Sequence, residues 1–262
     1  PMPKAGLRRG PLANRFVPLG GKEEVGAYYA AITAIDDQVG RLLKVLKETG
    51  ADENTIILFT SDHGDMLGSH GLRRKRKPYD ESARVPGIIR WPSHVPAGRV
   101  VDTLFSHVDM APTLLSLLGM EVPKVMQGAD LSGVALGKMT EGPEAVLMQI
   151  FVPYQPDQIV KPWRGLVTAS HTYARYEDEP WLLFDDVKDP HQMTNLATDP
   201  ASAELREKLD AQLAALMKKN GDAWSFNSND LVEEGGRLYR YETFYTLEDY
   251  RVWAKANPDK AK

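Results

Sequence analysis

Between Ser61 and Glu81 the chain gathers the residue types that can do chemistry: Ser-Asp-His-Gly-Asp-Met-Leu-Gly-Ser-His-Gly-Leu-Arg-Arg-Lys-Arg-Lys-Pro-Tyr-Asp-Glu. Asp62 and His63 are adjacent, and on a tight loop a carboxylate and a neutral imidazole can both reach one divalent cation. Gly64 follows and lets the backbone turn sharply. Two ligands do not make a metal site, so others have to come from elsewhere. Shortly afterwards comes the basic run Arg73-Arg-Lys-Arg-Lys77, able to hold an anionic substrate oxygen and to neutralise charge developing on a leaving group. On residue types alone the bland alternatives stay open: a surface turn for the Asp-His pair, a solvated face for the basic run.

The flanking elements must position that stretch. From Glu23 to Thr49 the apolar residues Tyr28, Ile32, Ile35, Val39, Leu42 and Leu46 recur three or four apart, which predicts a helix with one apolar stripe. Gly50 supplies a left-handed stop. Thr55-Ile-Ile-Leu-Phe-Thr60 is a continuous β-branched-rich run that predicts a strand buried on both faces, as in a parallel sheet under helices. It ends directly at Ser61-Asp62-His63-Gly64, and ligands in open α/β sheets bind outside the carboxyl ends of the strands. A second apolar run, Val85 to Trp91, and a helix from Asp109 to Leu118 closed by Gly119 continue the α/β pattern. Positions 1–22 read as an irregular lead-in of prolines and glycines.

Beyond Gly142 the texture changes. Ala145 to Val152, Trp163 to Ala169, His171 to Tyr176 and Trp181 to Asp185 are short apolar or aromatic runs split by turn residues, consistent with an antiparallel sheet. A helix is expected from Ser202 to Lys219, with Leu205, Leu209, Leu213 and Leu216 in one stripe and Gly221 closing it. The tail from Trp224 is too aromatic for a disordered linker, so it is expected to pack back on the body or on another subunit, a homo-oligomer in the second case.

Composition narrows the classes. The 262 residues are 42% hydrophobic and 26% charged, close to average globular usage, and the length suits one large domain or one domain with a smaller partner. A net charge of -4 gives no overall field for nucleic acid or an anionic membrane. The absence of cysteine removes disulfides, thiolate metal ligands and a cysteine nucleophile together. No apolar run approaches the roughly 20 residues of a membrane span, so the chain reads as soluble, cytoplasmic or periplasmic. Starting at Pro1, it reads as a piece of something longer.

The stretch Thr60-Ser-Asp-His-Gly-Asp-Met-Leu-Gly-Ser-His-Gly-Leu72, then a lysine, then Tyr79-Asp-Glu-Ser-Ala-Arg-Val-Pro86, resembles the second half of the formylglycine-dependent (type I) sulfatases of the alkaline phosphatase superfamily. Tyr28 to Leu43 resembles the family's helix before the metal strand. Trp91 to Arg99, Ser106 to Leu115 and Leu183 to Leu196 match three further family stretches in order. The resemblance implies an α/β, alkaline-phosphatase-like sulfatase fold. Positions 1–142 would be the C-terminal portion of the catalytic domain, with its mixed or parallel sheet and half the metal site. A smaller antiparallel subdomain with a helix would occupy 143–223, and 224–262 would be the aromatic tail.

Residue by residue, the resemblance makes Asp62 and His63 two ligands of a divalent metal, Ca2+ first, with Mg2+ or Mn2+ as alternatives. It makes Lys75 the catalytic lysine that contacts the sulfate and the leaving oxygen. Arg73, Arg74, Arg76 and Lys77 stand where small or neutral residues are common; Arg73 and Lys77 are candidates to extend an anionic substrate subsite, against the alternative of a solvated face. His70 and Asp65 are expected to orient the loop. His107, Asp109 and Pro112 are expected to start a helix, with Asp109 as an ordinary cap. His94, His171 and His191 have no partner at useful spacing.

The family's nucleophile is formylglycine made from C-x-P-x-R or S-x-P-x-R, and the nearest stretch here, Ser93-His-Val-Pro-Ala-Gly-Arg99, has its proline one position too late. The nucleophile and the other metal ligands are therefore expected in an N-terminal half preceding Pro1. The implied reaction is hydrolysis of a small aryl, sugar or alkyl sulfate, in which a hydrated aldehyde attacks sulfur while metal and lysines stabilise the transferring group. This chain alone is expected to be inactive. The rivals are a phosphonate monoester or phosphodiester hydrolase of the same superfamily, and a noncatalytic truncated module.

Overall fold

The computed structural model describes residues 22–151, 159, 161–222, 224 and 255, and the backbone of 231–234 and 237–240. The lead-in and most of the aromatic tail lie outside the described residues. The chain divides into two compact units, one of 1–103, 109–122 and 129–142, the other of 104–108, 123–128 and 143–262.

In the first unit α1 (Lys22–Glu48) is the helix the stripe predicts, stopped at Gly50 with φ 71°. None of its residues is buried, and Ile32, Ile35 and Leu42 are exposed. The next element, β1 (Ile57–Thr60), departs from the sequence reading. It is not buried on both faces in a parallel sheet but forms a two-stranded antiparallel ribbon, in which Ile57 faces Arg90 and Thr60 faces Gly87. Phe59 and Ile88, paired across the ribbon, remain exposed on one of its faces. The chain between the strands includes α2 (Asp80–Ala83); the partner strand is β2 (Gly87–Arg90). A two-pronged ion pair between Arg90 and Asp52, 2.9 Å on each prong, ties β2 to the segment before β1.

α3 (His107–Leu117) ends before Gly119, φ 71°. Asp109 does not stand at the cap position but inside the first turn of α3, where it is buried and its Oδ1 accepts the Ala129 N–H at 2.7 Å, while Thr113 Oγ1 accepts the Leu131 N–H at 3.0 Å. The helix thereby holds the segment leading into α4 (Ser132–Ala135).

The second unit is built on β3 (Ala145–Ile150), β4 (Trp163–Thr168), β5 (His171–Arg175) and β6 (Pro180–Asp185), an antiparallel sheet in chain order. Register sets Leu147, Leu166, Tyr173 and Leu183 across one face. On it packs α5 (Ala203–Lys219), through buried Leu209, Leu213 and Met217 and partly buried Leu205 and Leu216. The opposite face is also buried at Trp163, Ala174, Leu182 and Phe184. Gly165 fits a close backbone approach, since a Cβ there would lie 2.7 Å from the Tyr173 carbonyl oxygen. Arg164, 1% exposed, donates from Nε and Nη2 to Asp222 just past α5, between the rings of Phe151 and Trp224. The described tail adds a ribbon of β7 (Leu231–Glu234) and β8 (Arg237–Arg240). Among the described residues no helix is long and apolar enough to cross a membrane.

Candidate active site

The first unit places Asp62, His63 and Lys75 together. Leaving β1, the Ser61 hydroxyl donates to the His63 carbonyl at 2.8 Å and Asp62 Oδ1 accepts the His63 N–H at 3.0 Å, which folds the turn on itself. The Gly64 N–H then donates to the Ser82 carbonyl of α2 at 2.9 Å. A Cβ at Gly64 would lie 1.9 Å from the Glu81 carbonyl oxygen, and Gly64 is not among the glycines with positive φ. Glycine is thus required by the approach of α2 and not by an unusual turn.

The Gly64 carbonyl, for its part, orients His63. Its Nδ1 lies 2.7 Å from the Gly64 carbonyl oxygen and must be the N–H donor there, because a carbonyl can only accept. Nε2 is left with its lone pair, 3.2 Å from Asp62 Oδ2, and the Lys75 ammonium donates to it. A carboxylate oxygen and an imidazole lone pair, both ligands for hard or borderline divalent cations, therefore converge where the structure puts a positive charge. Asp62 is open to solvent, with 82% of its side chain exposed. Among the described residues no group of three or more metal-ligating side chains is assembled. The pair supplies two donors of the kinds that bind divalent cations.

The loop carrying Lys75 is held from several sides. Asp65 Oδ1 accepts the Leu67 N–H at 2.9 Å, and Met66, fully buried, donates its N–H to the Arg74 carbonyl at 2.8 Å. The His70 ring stacks on Tyr79 at 4.2 Å, with Nε2 3.6 Å from Glu81 Oε1. Burial, then the Glu81 carboxylate, push the Tyr79 hydroxyl above its ordinary pKa. Leu67, His70, Arg74 and Arg76 all have positive φ, between 46° and 72°. Non-glycine residues held there store strain of order 1–3 kcal/mol each, which surrounding contacts must over-determine.

Within the basic run the fates diverge. Arg73 reaches Glu24 of α1 at 3.0 Å, and Lys77 is buried with its ammonium on the carbonyl oxygens of Arg73 and Lys75. The two candidate subsite cations are both engaged by the protein itself. Ser82 escaped the sequence reading: its carbonyl holds Gly64 and its hydroxyl accepts the Lys77 N–H at 3.2 Å, so one residue joins the Asp62–Gly64 turn to the lysine loop. A lone serine carries no sequence signal for that. His94 stacks on Trp91 at 3.8 Å and His171 Nδ1 meets the Ser170 hydroxyl at 2.8 Å, so both have local partners that spacing did not reveal.

The chain combines helices with antiparallel sheets, and solved sulfatases and phosphonate hydrolases that superpose on it share its α/β, alkaline-phosphatase-like fold. The N-sulphoglucosamine sulphohydrolase C-terminal model matches residues 68–219 and the sulfatase model matches residues 8–120, so the chain belongs to the sulfatase family of the alkaline phosphatase superfamily. It is 36% identical over 212 residues to an ulvan-active sulfatase of Formosa agariphila, covering 80% of this chain and 41% of that protein. A solved structure of a protein in complex with its substrate D-glucosamine-2-N,6-O-disulfate superposes with TM-score 0.68 at 32% identity, covering 78% of this chain and 44% of that one. The phosphonate monoester hydrolase of Agrobacterium radiobacter gives TM-score 0.67 at 28% identity, with 82% and 44% covered. The chain thus spans roughly two fifths of the length of the proteins it matches.

Proposed function

We propose that this chain is the C-terminal half of a sulfuric ester hydrolase acting on small sulfated molecules, with sulfated sugars the first class to test. The observation that carries the reading is the convergence of Asp62, His63 and Lys75 at the end of β1. Sulfatases among the relatives support the reaction class, and the disulfated glucosamine bound by one neighbour supports the substrate class. Asp62 and the His63 Nε2 would hold a divalent cation, Ca2+ first, which when bound supplies positive charge beside the sulfate oxygens. The Gly64 carbonyl fixes the His63 tautomer that leaves Nε2 free. Lys75, held by the loop and not by a carboxylate in any contact given above, places its ammonium where the sulfate and the leaving oxygen gather negative charge.

The nucleophile, a formylglycine, and the remaining donors belong to an N-terminal half, which also covers the bare stripe of α1. A second reading, phosphonate monoester hydrolysis, is favoured by the superposition on such an enzyme. The full-length protein, assayed with aryl sulfate and aryl phosphonate esters, is expected to show the larger kcat/KM for sulfate, and this chain alone no turnover. Preference for the phosphonate would replace the first reading by the second; turnover by the pure chain would contradict the division into halves.

A further inference from the structure

Lys77 is 3% exposed, although it belongs to a run of five consecutive basic residues. A buried ammonium is costly unless several oxygens replace its water. Here its Nζ donates to the Arg73 carbonyl at 2.8 Å and to the Lys75 carbonyl at 3.3 Å, while its own N–H donates to the Ser82 hydroxyl at 3.2 Å. The carbonyl between those two, Arg74, accepts from Met66. Three successive carbonyls around Lys75 are thus all anchored, two of them by one side chain. Arg74 and Arg76, the residues on either side of Lys75, have φ of 61° and 72°. Those conformations turn alternate peptide units, and the ammonium gathers the two carbonyls flanking Arg74.

We propose that Lys77 is a positioning residue: its buried ammonium acts as an internal cation that clamps the loop in the strained form aiming Lys75 at His63. It takes no part in binding substrate. The inference rests on the reading of Lys75 as the sulfate-contacting lysine, but the clamp itself can be measured without it.

In the full-length protein Lys77→Met keeps the stem and removes the donors. Misplacing a catalytic group by about 1 Å costs roughly 100-fold, so kcat should fall between about 10- and 100-fold with KM changed little. In a Lys75→Ala background the same substitution should cost nothing further. Lys77→Gln, which retains N–H donors, should recover part of the loss. In this chain alone, Lys77→Met should accelerate amide hydrogen exchange at Met66 and Lys77 while leaving α5 unchanged. A KM effect without a kcat effect, or equal kcat losses with and without Lys75, would overturn the clamp and return Lys77 to substrate binding. Faster exchange with no kcat effect from Lys75→Ala would keep the clamp and sink the role of Lys75. Unchanged exchange would sink the clamp whatever the kinetics; if Lys77→Met does not fold, the Lys77→Gln comparison decides by the same criteria.

Discussion

In the second unit a four-stranded sheet is buried on both faces and α5 sinks Leu209, Leu213 and Met217 into it. In the first unit α1, a 27-residue helix with an equally clear apolar stripe, has no fully buried residue, only half-buried ones such as Val39 and Leu46, and the strand leading to the candidate site sits in a two-stranded ribbon. The same periodicity thus has two outcomes. A stripe shows which side of a helix calls for a partner; it does not show that the partner lies in the same chain. The exposed apolar residues of α1 belong to a chain that spans two fifths of the length of the proteins it matches.

The sharpest way to test the self-sufficiency of the second unit is its buried ion pair. Asp222→Ala strands the Arg164 guanidinium among aromatic rings, and removing one partner of a buried pair costs about 3–5 kcal/mol. Urea titration of this chain, followed at its tryptophans, should show that loss; a change below 1 kcal/mol would mean the unit tolerates the break and is less tightly built than described.

The first unit should respond oppositely to apolar losses. In this chain Ile35→Ala and Leu42→Ala are expected to stay within about 0.5 kcal/mol, as exposed sites do. In the full-length protein each should cost about 2–5 kcal/mol, the range for buried aliphatic truncations. Equal effects in both would show that the stripe has no partner in the longer protein.

Gly64→Ala probes the point where α2 presses on the Asp62–Gly64 turn. Inserting a methyl 1.9 Å from the Glu81 oxygen forces the backbones apart. The expected cost is about 1–3 kcal/mol, the range for overpacking. Loss of the Gly64 to Ser82 hydrogen bond by exchange should accompany it, and a neutral result would mean the turn is already loose.

The smallest effect is the acid response. Burial pushes the Asp222 carboxyl up, but hydrogen bonds from Arg164 and the Trp224 N–H, with the charge of Arg164, outweigh it and hold the pKa below the ordinary 3.8. A carboxylate depressed in the folded state adds stability that is present above its unfolded pKa and is lost as pH falls through the folded one. Melts between pH 5 and pH 2, the acid range on either side of that carboxylate value, should therefore show a decline that Asp222→Asn flattens. An identical slope in the variant would remove Asp222 from the account.

Much of this was legible from residues alone. The stripes of α1 and α5, the stops at Gly50, Gly119 and Gly221, and the four antiparallel strands all follow from periodicity and turn chemistry, which are local. The pairing of β1 was not legible, because a run such as Ile56-Ile-Leu-Phe59 records that a strand is apolar but not which neighbours it has. At the site, Asp62, His63 and Lys75 stood out by type and family likeness. The reason for Gly64, the link through Ser82 and the burial of Lys77 are long-range backbone contacts, and five consecutive basic residues look alike until the fold separates them.

The proposed site requires Lys75 to be set apart from its basic neighbours. The decisive measurement is kcat and kcat/KM of the full-length protein at fixed ionic strength for Lys75→Ala beside Arg74→Ala and Arg76→Ala. Loss of one preorganised charge in a transition state costs about 100- to 1000-fold in kcat. Lys75→Ala should show that loss equally in kcat and kcat/KM, whereas the two arginine variants should shift KM or do little. If Lys75→Ala behaves like the arginine variants, Lys75 does not contact the reacting sulfate and the proposed site is wrong.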